Sequence, residues 1–167
     1  MSETTEQQMP QPTAEHQRIT AMAGKWKVHC SFWMDPTQPP MECEATESFE
    51  AVGPFWVVSK YETDFMGMPF VGRCSMGYDP HRKCWVSTWV DCMSPVLFSF
   101  TGNMKGDTLV MTGEAWSCRS NGPAKFRTTN QAKGGVGDKV NEWVMEMFET
   151  LPNGVEAKMM RMHYKRA

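Results

Sequence analysis

The sequence has little excess charge of either sign and no long apolar run. Its 17 lysines and arginines nearly balance 19 aspartates and glutamates, giving a formal net charge of −2. A nucleic-acid-binding protein is not indicated, because that function needs a basic face or stripe. No apolar stretch approaches the roughly 20 residues of a membrane-spanning helix. Residues 1–12 are polar and lack the basic segment of a secretory signal, which predicts a cytoplasmic protein that does not insert into membranes.

Sequence motifs of the common enzyme classes are also missing. The chain has no Gly-x-Ser-x-Gly elbow, no phosphate loop ending in Gly-Lys-Ser/Thr and no His-Glu-x-x-His zinc motif. The glycine-rich run at 134–137 lies between two predicted strands, whereas a phosphate-binding loop leads into a helix. We therefore predict no catalytic residue, no metal ligand and no cofactor, and we favour a binding protein over an enzyme.

The six cysteines show no spacing typical of zinc or redox sites. The two that are nearest in sequence, Cys84 and Cys92, have seven residues between them. On one strand they would share a face and lie about 26 Å apart at ~3.3 Å per residue, too far for a disulfide. A domain of this size without an export signal does not need disulfides, so we predict reduced thiols that mostly pack in the interior.

Short runs of alternating apolar and polar residues dominate the chain after Gly24, and they are separated by turns rich in Gly, Pro and Asn. This pattern predicts β-strands. The predicted strands cover residues 26–34, 42–50, 55–64, 69–78, 83–93, 96–103, 108–118, 125–131, 140–150 and 155–165. Sequential hairpins without a long crossover favour an up-and-down barrel, because closure removes exposed sheet edges. We predict an all-β fold, a single closed barrel of about ten antiparallel strands.

The N-terminal region predicts a tail and one helix before the barrel. Residues 1–12, rich in Gln and Pro, predict a disordered tail, which leaves residues 13–167 as one β-barrel domain. Thr13 is a suitable cap for a helix from Ala14 to Ala23, which Gly24 would end. Apolar residues within this segment form one stripe. We expect the helix to pack across one end of the barrel.

The block from Met66 to Met93 is the most specific part of the sequence. It contains Met66-Gly67-Met68-Pro69, Gly77-Tyr78-Asp79 and Trp85-Val86-Ser87-Thr88-Trp89-Val90-Asp91-Cys92-Met93. With the Gly24-Lys25-Trp26 opening, this block closely resembles a bacterial family of lipocalin-like barrels known as domain of unknown function 1579 (DUF1579). The resemblance extends over nearly the whole chain. It implies a lipocalin- or nitrobindin-like barrel, and it implies no activity.

The predicted strand at 83–93 has two largely apolar faces, of which only one points into the barrel. One face carries Trp85, Ser87, Trp89, Asp91 and Met93, and the other carries Cys84, Val86, Thr88, Val90 and Cys92. We predict that the tryptophan face is interior, because two indole rings bury the larger area. Asp91 would then lie inside near the mouth of the barrel. A buried carboxylate needs hydrogen bonds or a cation, for which Arg73 and Arg127 are candidates.

Aromatic and methionine side chains on several strands predict a pocket inside the barrel. Such residues line adaptable apolar sites, and barrels of eight or more strands have room for a small ligand. The same residues would also suit a filled core. We predict a protein that binds a small, mostly apolar molecule. The predicted ligand-binding residues are Tyr61, Trp89, Asp91, Met93, Arg127 and Met145.

Methionines and a histidine in the last predicted strand raise the alternative of copper or haem. We consider it disfavoured, because alternation places Met160, Met162 and Tyr164 on the apolar face and turns His163 outward. The other histidines lie on the helix, on a polar strand face and in a turn. We predict that they are surface residues and not metal ligands.

Two further functional classes remain open from the sequence. The first is an enzyme that acts on a small apolar molecule in the same pocket, using Asp91 with Glu114 or Tyr61 as an acid–base pair. The second is an interaction module with a filled core, which would form a homodimer through the face of Cys84, Val86 and Val90.

Overall fold

The computed structural model describes residues 9–133 and 140–167. One helix, α1 (Ala14–Thr20), precedes ten strands. The strands are β1 (Gly24–Phe32), β2 (Met41–Val52), β3 (Trp56–Phe65), β4 (Met68–Asp79), β5 (Cys84–Asp91), β6 (Ser94–Lys105), β7 (Thr108–Ser117), β8 (Gly122–Ala132), β9 (Glu142–Thr150) and β10 (Glu156–Arg166). Residues 1–8 of the predicted tail and the predicted glycine-rich loop at 134–138 lie outside the described residues.

Each strand pairs antiparallel with its neighbours in sequence, and β1 also pairs with β10, which closes the sheet. At this closure Trp26 lies opposite Arg166, and Phe32 lies opposite Met160. The predicted all-β, up-and-down barrel of ten strands with one N-terminal helix is therefore confirmed. Across the described parts of the chain, no helix has the length and apolar character needed to cross a membrane.

Helix α1 ends three residues earlier than predicted. The N–H groups of Met22 and Ala23 donate to carbonyls three residues back, at 3.0 and 3.1 Å, which tightens the chain before it enters β1. Gly24 then takes a φ of +130°, which favours glycine. Arg166 donates to the carbonyls of Ala21 and Ala23, at 3.0 and 2.9 Å, and so ties this turn to the last strand.

His16 fixes the helix to the barrel and is buried, so its predicted surface position is wrong. Its Nδ1 accepts the N–H of Thr13 at 2.9 Å, which leaves Nε2 to donate to the carbonyl of Tyr78 at 3.0 Å. The next helical turn buries Ile19 completely against the barrel. The helix thus packs on β3 and β4, at the end of the barrel where β4 finishes.

At the opposite end, a buried polar cluster lies beneath the β7–β8 turn. The carboxylate of Glu149 is fully buried and accepts the hydroxyl of Ser117. Arg119 lies 3.7 Å from this carboxylate and donates to the carbonyl of Trp33. The cluster links the β7–β8 turn to β9 and to the segment that follows β1.

Candidate ligand-binding cavity

The centre of the barrel contains a cavity of about 250 Å³. Its wall is mostly apolar, with eight methionines and six aromatic side chains. The methionines are Met22, Met76, Met111, Met145, Met147, Met159, Met160 and Met162, and the aromatic residues are Phe49, Trp89, Phe98, Phe100, Trp143 and Tyr164. The polar contribution comes from Glu47, Cys74, Ser87, Asp91, Thr128 and Asn130.

Two neighbouring strands supply most of the methionines. Alternate residues of β9 and β10 face inward, which brings Met145 opposite Met162 and Met147 opposite Met160. An irregularity in the pairing between Lys158 and Met160 allows Met159 to reach the cavity as well. Methionine is flexible and polarizable, so this part of the wall can adapt to ligands of different shape.

The tryptophan face of β5 is interior, as predicted. Trp85 is buried in the core, while Ser87, Trp89 and Asp91 line the cavity. The Trp89 ring lies against the backbone of Gly72, where a Cβ atom would come within 2.2 Å of it. Gly72 therefore sets how far the indole can withdraw from the cavity.

Asp91 lines the cavity and has two hydrogen-bond donors. Its Oδ2 accepts the indole N–H of Trp89 at 2.9 Å, and its Oδ1 accepts the backbone N–H of Met93 at 2.9 Å. The proposed cationic partners lie elsewhere. Arg73 donates to the carbonyl of Gly72, and Arg127 forms an ion pair with Glu156. Of the two predicted ways to satisfy Asp91, the structure has the hydrogen bonds, from neutral N–H groups, and not the arginine cation.

Glu47 is the charged lining residue that the sequence did not reveal. It lies on β2, and its side chain is only 3% exposed although it borders the cavity. Oε2 accepts the phenol of Tyr164 at 2.9 Å, and Oε1 accepts the hydroxyl of Ser59. Burial raises the pKa of Glu47 to about 7, and the two hydrogen bonds oppose that rise. The sequence feature that indicates an interior position for Glu47 is its place between Ala45 and Phe49, which alternate onto the inward face of an otherwise polar strand.

The titratable groups around Glu47 are all neutral acids. Burial raises the pKa of Cys30 to about 12 and that of Cys74 to about 12. It also raises the pKa values of Tyr61 and Tyr164 well above the ordinary value for a phenol. The charge of Glu47 contributes to each of these shifts. The two thiols and two phenols on this side of the interior therefore stay protonated and neutral at physiological pH.

Three of the six predicted ligand-binding residues border the cavity: Trp89, Asp91 and Met145. Tyr61 is buried behind Trp89, with ring centroids 5.9 Å apart, and it shares a 2.9 Å hydrogen bond with the Cys30 thiol. Met93 lies in the turn after β5 and is 50% exposed. Arg127 faces outward, where it stacks on Phe148. That a ligand contacts the three lining residues stays a prediction.

The histidines and the outer face of β5 lie away from the cavity. His163 turns outward, as predicted, and pairs with Glu142. Among the described residues, no group of three or more His, Cys, Asp or Glu side chains is placed to hold a metal ion. Glu114 also faces outward, which separates it from Asp91. Cys84, Val86 and Val90 lie on the outer face, and a partner for that face remains a prediction.

Comparison with known proteins identifies a family and a fold. The sequence profile of the family described as "Protein of unknown function (DUF1579)" matches residues 11–166. No curated protein matches the chain. The crystal structure of Rv2717c from M. tuberculosis superposes with a TM-score of 0.66 and 12% identity, over 94% of this chain and 99% of that one. A redesigned β-barrel, b11L5F_LGL, gives a TM-score of 0.47 and 11% identity, over 94% of this chain and 99% of its own. At these identities the likeness to Rv2717c concerns the fold alone.

Proposed function

The chain belongs to the DUF1579 family, whose description names no function, and we propose that its barrel binds a small, mostly apolar molecule in the central cavity. The observation that carries the proposal is the space of about 250 Å³ at the centre of the barrel, lined mostly by methionine and aromatic side chains. Protein interiors otherwise contain few voids larger than a water molecule. An unfilled apolar space of this size favours a binding protein over a filled core.

The wall of the cavity supports the same class of ligand. Methionine and aromatic side chains dominate it, and these offer an adaptable apolar surface with few fixed polar contacts. An engineered cavity of about 150 Å³ binds benzene, so the present cavity has room for an aromatic ring with a short side chain. Glu47 and Asp91 provide the polar contacts.

Native mass spectrometry after purification without detergent, together with thermal unfolding in the presence of ethylbenzene, tests this proposal. We expect a bound small molecule, or a rise in Tm on addition of ethylbenzene. Ser87→Leu should weaken both, because Ser87 lines the cavity and the larger side chain occupies part of it. Thr88→Leu is the matched control, because Thr88 is the next residue and faces outward. A wild-type protein with neither a bound mass nor a Tm rise would contradict the proposal.

The second candidate is an enzyme that acts on a similar molecule, and the state of Glu47 favours it. A general acid or base works best when its pKa lies near the operating pH, and the pKa of Glu47 is raised to about 7. Small apolar esters and ketones are suitable probe substrates. If the barrel is an enzyme, turnover of one of them should fall by about a hundredfold or more in Glu47→Gln. Absence of turnover in the wild type would leave the binding proposal alone.

A further inference from the structure

We infer that the cavity selects amphiphilic amines, with the ammonium group held by Glu47 and the apolar body against the methionines. This inference rests on the proposed function and names its ligand class. Glu47 and Asp91 are both acidic, and the described residues that line the cavity include no lysine, arginine or histidine. A cationic ligand would supply the positive charge that this wall does not contain.

The surroundings of Glu47 make its uncompensated negative charge unfavourable. Burying a carboxylate is unfavourable unless a charge or several hydrogen bonds compensate for it. Only two neutral hydroxyls, from Ser59 and Tyr164, donate to Glu47 among the described residues. Its titratable neighbours on β1, β3, β4 and β10 are Cys30, Tyr61, Cys74 and Tyr164, all of them acids. No neighbour on these strands supplies a positive charge to Glu47.

The carboxylate keeps acceptor sites for a ligand. Each carboxylate oxygen has two lone pairs, and each oxygen of Glu47 uses one of them for its hydroxyl partner. An ammonium group has three N–H donors and forms charge-assisted bonds with such an acceptor. Asp91 also has one donor on each oxygen, the Trp89 indole and the Met93 amide, but it is only partly buried at the end of β5, so water can solvate it. Glu47 is therefore the primary anchor.

Aromatic faces close to Glu47 add to the attraction. Tyr164, which donates to Glu47, stacks on Trp143 with ring centroids 4.1 Å apart, and both rings line the cavity. Cations are attracted to the faces of such rings. Ethers, esters and hydrocarbons gain neither this interaction nor the ion pair.

A calorimetric titration with four probes of one size tests the inference. The probes are 2-phenylethylamine, 2-phenylethanol, phenylacetate and ethylbenzene, which share a phenyl ring and end in a cationic, a neutral polar, an anionic and an apolar group, respectively. At pH 8 we expect the amine to bind about tenfold or more tightly than the alcohol, and the carboxylate to bind most weakly. Glu47→Gln should remove the preference for the amine and leave the affinity for the alcohol within about threefold. Glu50→Gln is the matched control, since Glu50 lies on the same strand and is exposed.

The pH dependence of the wild type provides a second readout that needs no variant. An ammonium favours the ionised form of Glu47, whose pKa in the free protein is about 7. Because the amine stays protonated from pH 6 to pH 8, its affinity should rise by about tenfold over that range. The affinity for ethylbenzene should not rise in this way. Loss of the proton from Glu47 on binding would also appear as buffer-dependent heat.

The outcomes separate this inference from the proposed function. Equal affinities for the amine and the alcohol, with no pH dependence, would overturn the amine preference while leaving a cavity that binds apolar molecules. Absence of binding by all four probes would overturn both. An amine preference that persists in Glu47→Gln would assign the charge recognition to another group and contradict the role of Glu47.

Discussion

The phenol of Tyr164 donates a 2.9 Å hydrogen bond to the carboxylate of Glu47, and the two residues are separated by 117 positions in sequence. Tyr164 lies on β10 and Glu47 on β2, the two strands that flank β1. The bond therefore spans the place where the barrel closes. It satisfies two buried polar groups whose desolvation would otherwise be unfavourable.

The stability of the protein should fall between pH 5 and pH 7 because of Glu47. The pKa of this carboxyl is about 7 in the folded protein, against 4.5 for an ordinary Glu. The folded state therefore binds more protons than the unfolded state in this interval, so the free energy of unfolding decreases as pH rises. The expected contribution is roughly 3 kcal/mol between the two pKa values.

Glu47→Gln isolates this contribution from those of other titratable groups. The free energy of unfolding of wild type and variant is measured by urea denaturation. As pH increases from 5 to 8, the wild type should lose stability relative to the variant. Glu50→Gln, at an exposed position, should leave the difference flat. A flat profile for Glu47→Gln would mean that Glu47 has an ordinary pKa.

Gly72→Ala should impair ligand binding, whereas Gly77→Ala should not. Both substitutions bring a Cβ atom into an indole ring, within 2.2 Å of Trp89 and within 2.3 Å of Trp56, respectively. Each should destabilise the protein by about 1–3 kcal/mol, the usual cost of overpacking. Trp89 lines the cavity, while Trp56 is 40% exposed. Titration with ethylbenzene distinguishes the two variants, and equal affinities would show that Trp89 does not form the binding wall.

Glu149→Ala should lower stability by about 3 kcal/mol, since it removes one partner of a buried ionic cluster. It leaves the hydroxyl of Ser117 and the guanidinium of Arg119 without their carboxylate. Thermal and urea unfolding measure this loss, with Glu50→Ala as a control at an exposed site. A loss below about 1 kcal/mol, the value expected of a surface pair, would show that water reaches the cluster.

Mild oxidation with diamide should join Cys30 to Cys43. The two residues face each other across β1 and β2, and directly opposed side chains have Cβ atoms about 4.5–5.5 Å apart. A disulfide needs about 3.5–4.5 Å, so a small shift is sufficient. Both thiols are free in the structure and each would lose one hydrogen atom to diamide. The buried Cys30 thiol, with its raised pKa, reacts slowly, so peptide mapping should find this pair only after the exposed thiols of Cys92 and Cys118 have reacted. If Cys43 instead remains reduced after prolonged oxidation, the predicted approach of Cys30 and Cys43 is contradicted.

The sequence predicted the barrel well because its signal is local. Alternation and turn residues marked all ten strands, and the two indole rings of β5 correctly identified its inward face. The end of α1 was misplaced because Ala21 and Ala23 suit a helix, and their capping by Arg166 is a contact with the far end of the chain.

The residues that line the cavity were harder to predict from the sequence than the strands. Arg127 was predicted as a ligand contact and as one candidate cation for Asp91, yet its neighbours Phe126 and Thr128 occupy the inward positions of β8. Glu47 was passed over because charged residues in a polar strand normally face water. Its partners Ser59 and Tyr164 come from two other strands, so only the closed barrel brings them together.

Methyl-labelled methionine NMR tests the central claim most directly. Eight methionines line the cavity, while Met34 and Met66 are exposed and serve as internal references. On titration with 2-phenylethylamine and with ethylbenzene, we expect the signals of the lining methyl groups to shift and saturate while the reference signals stay in place. If no lining methyl responds to either compound, or if the exposed methyl groups respond equally, the barrel does not bind small molecules in its cavity.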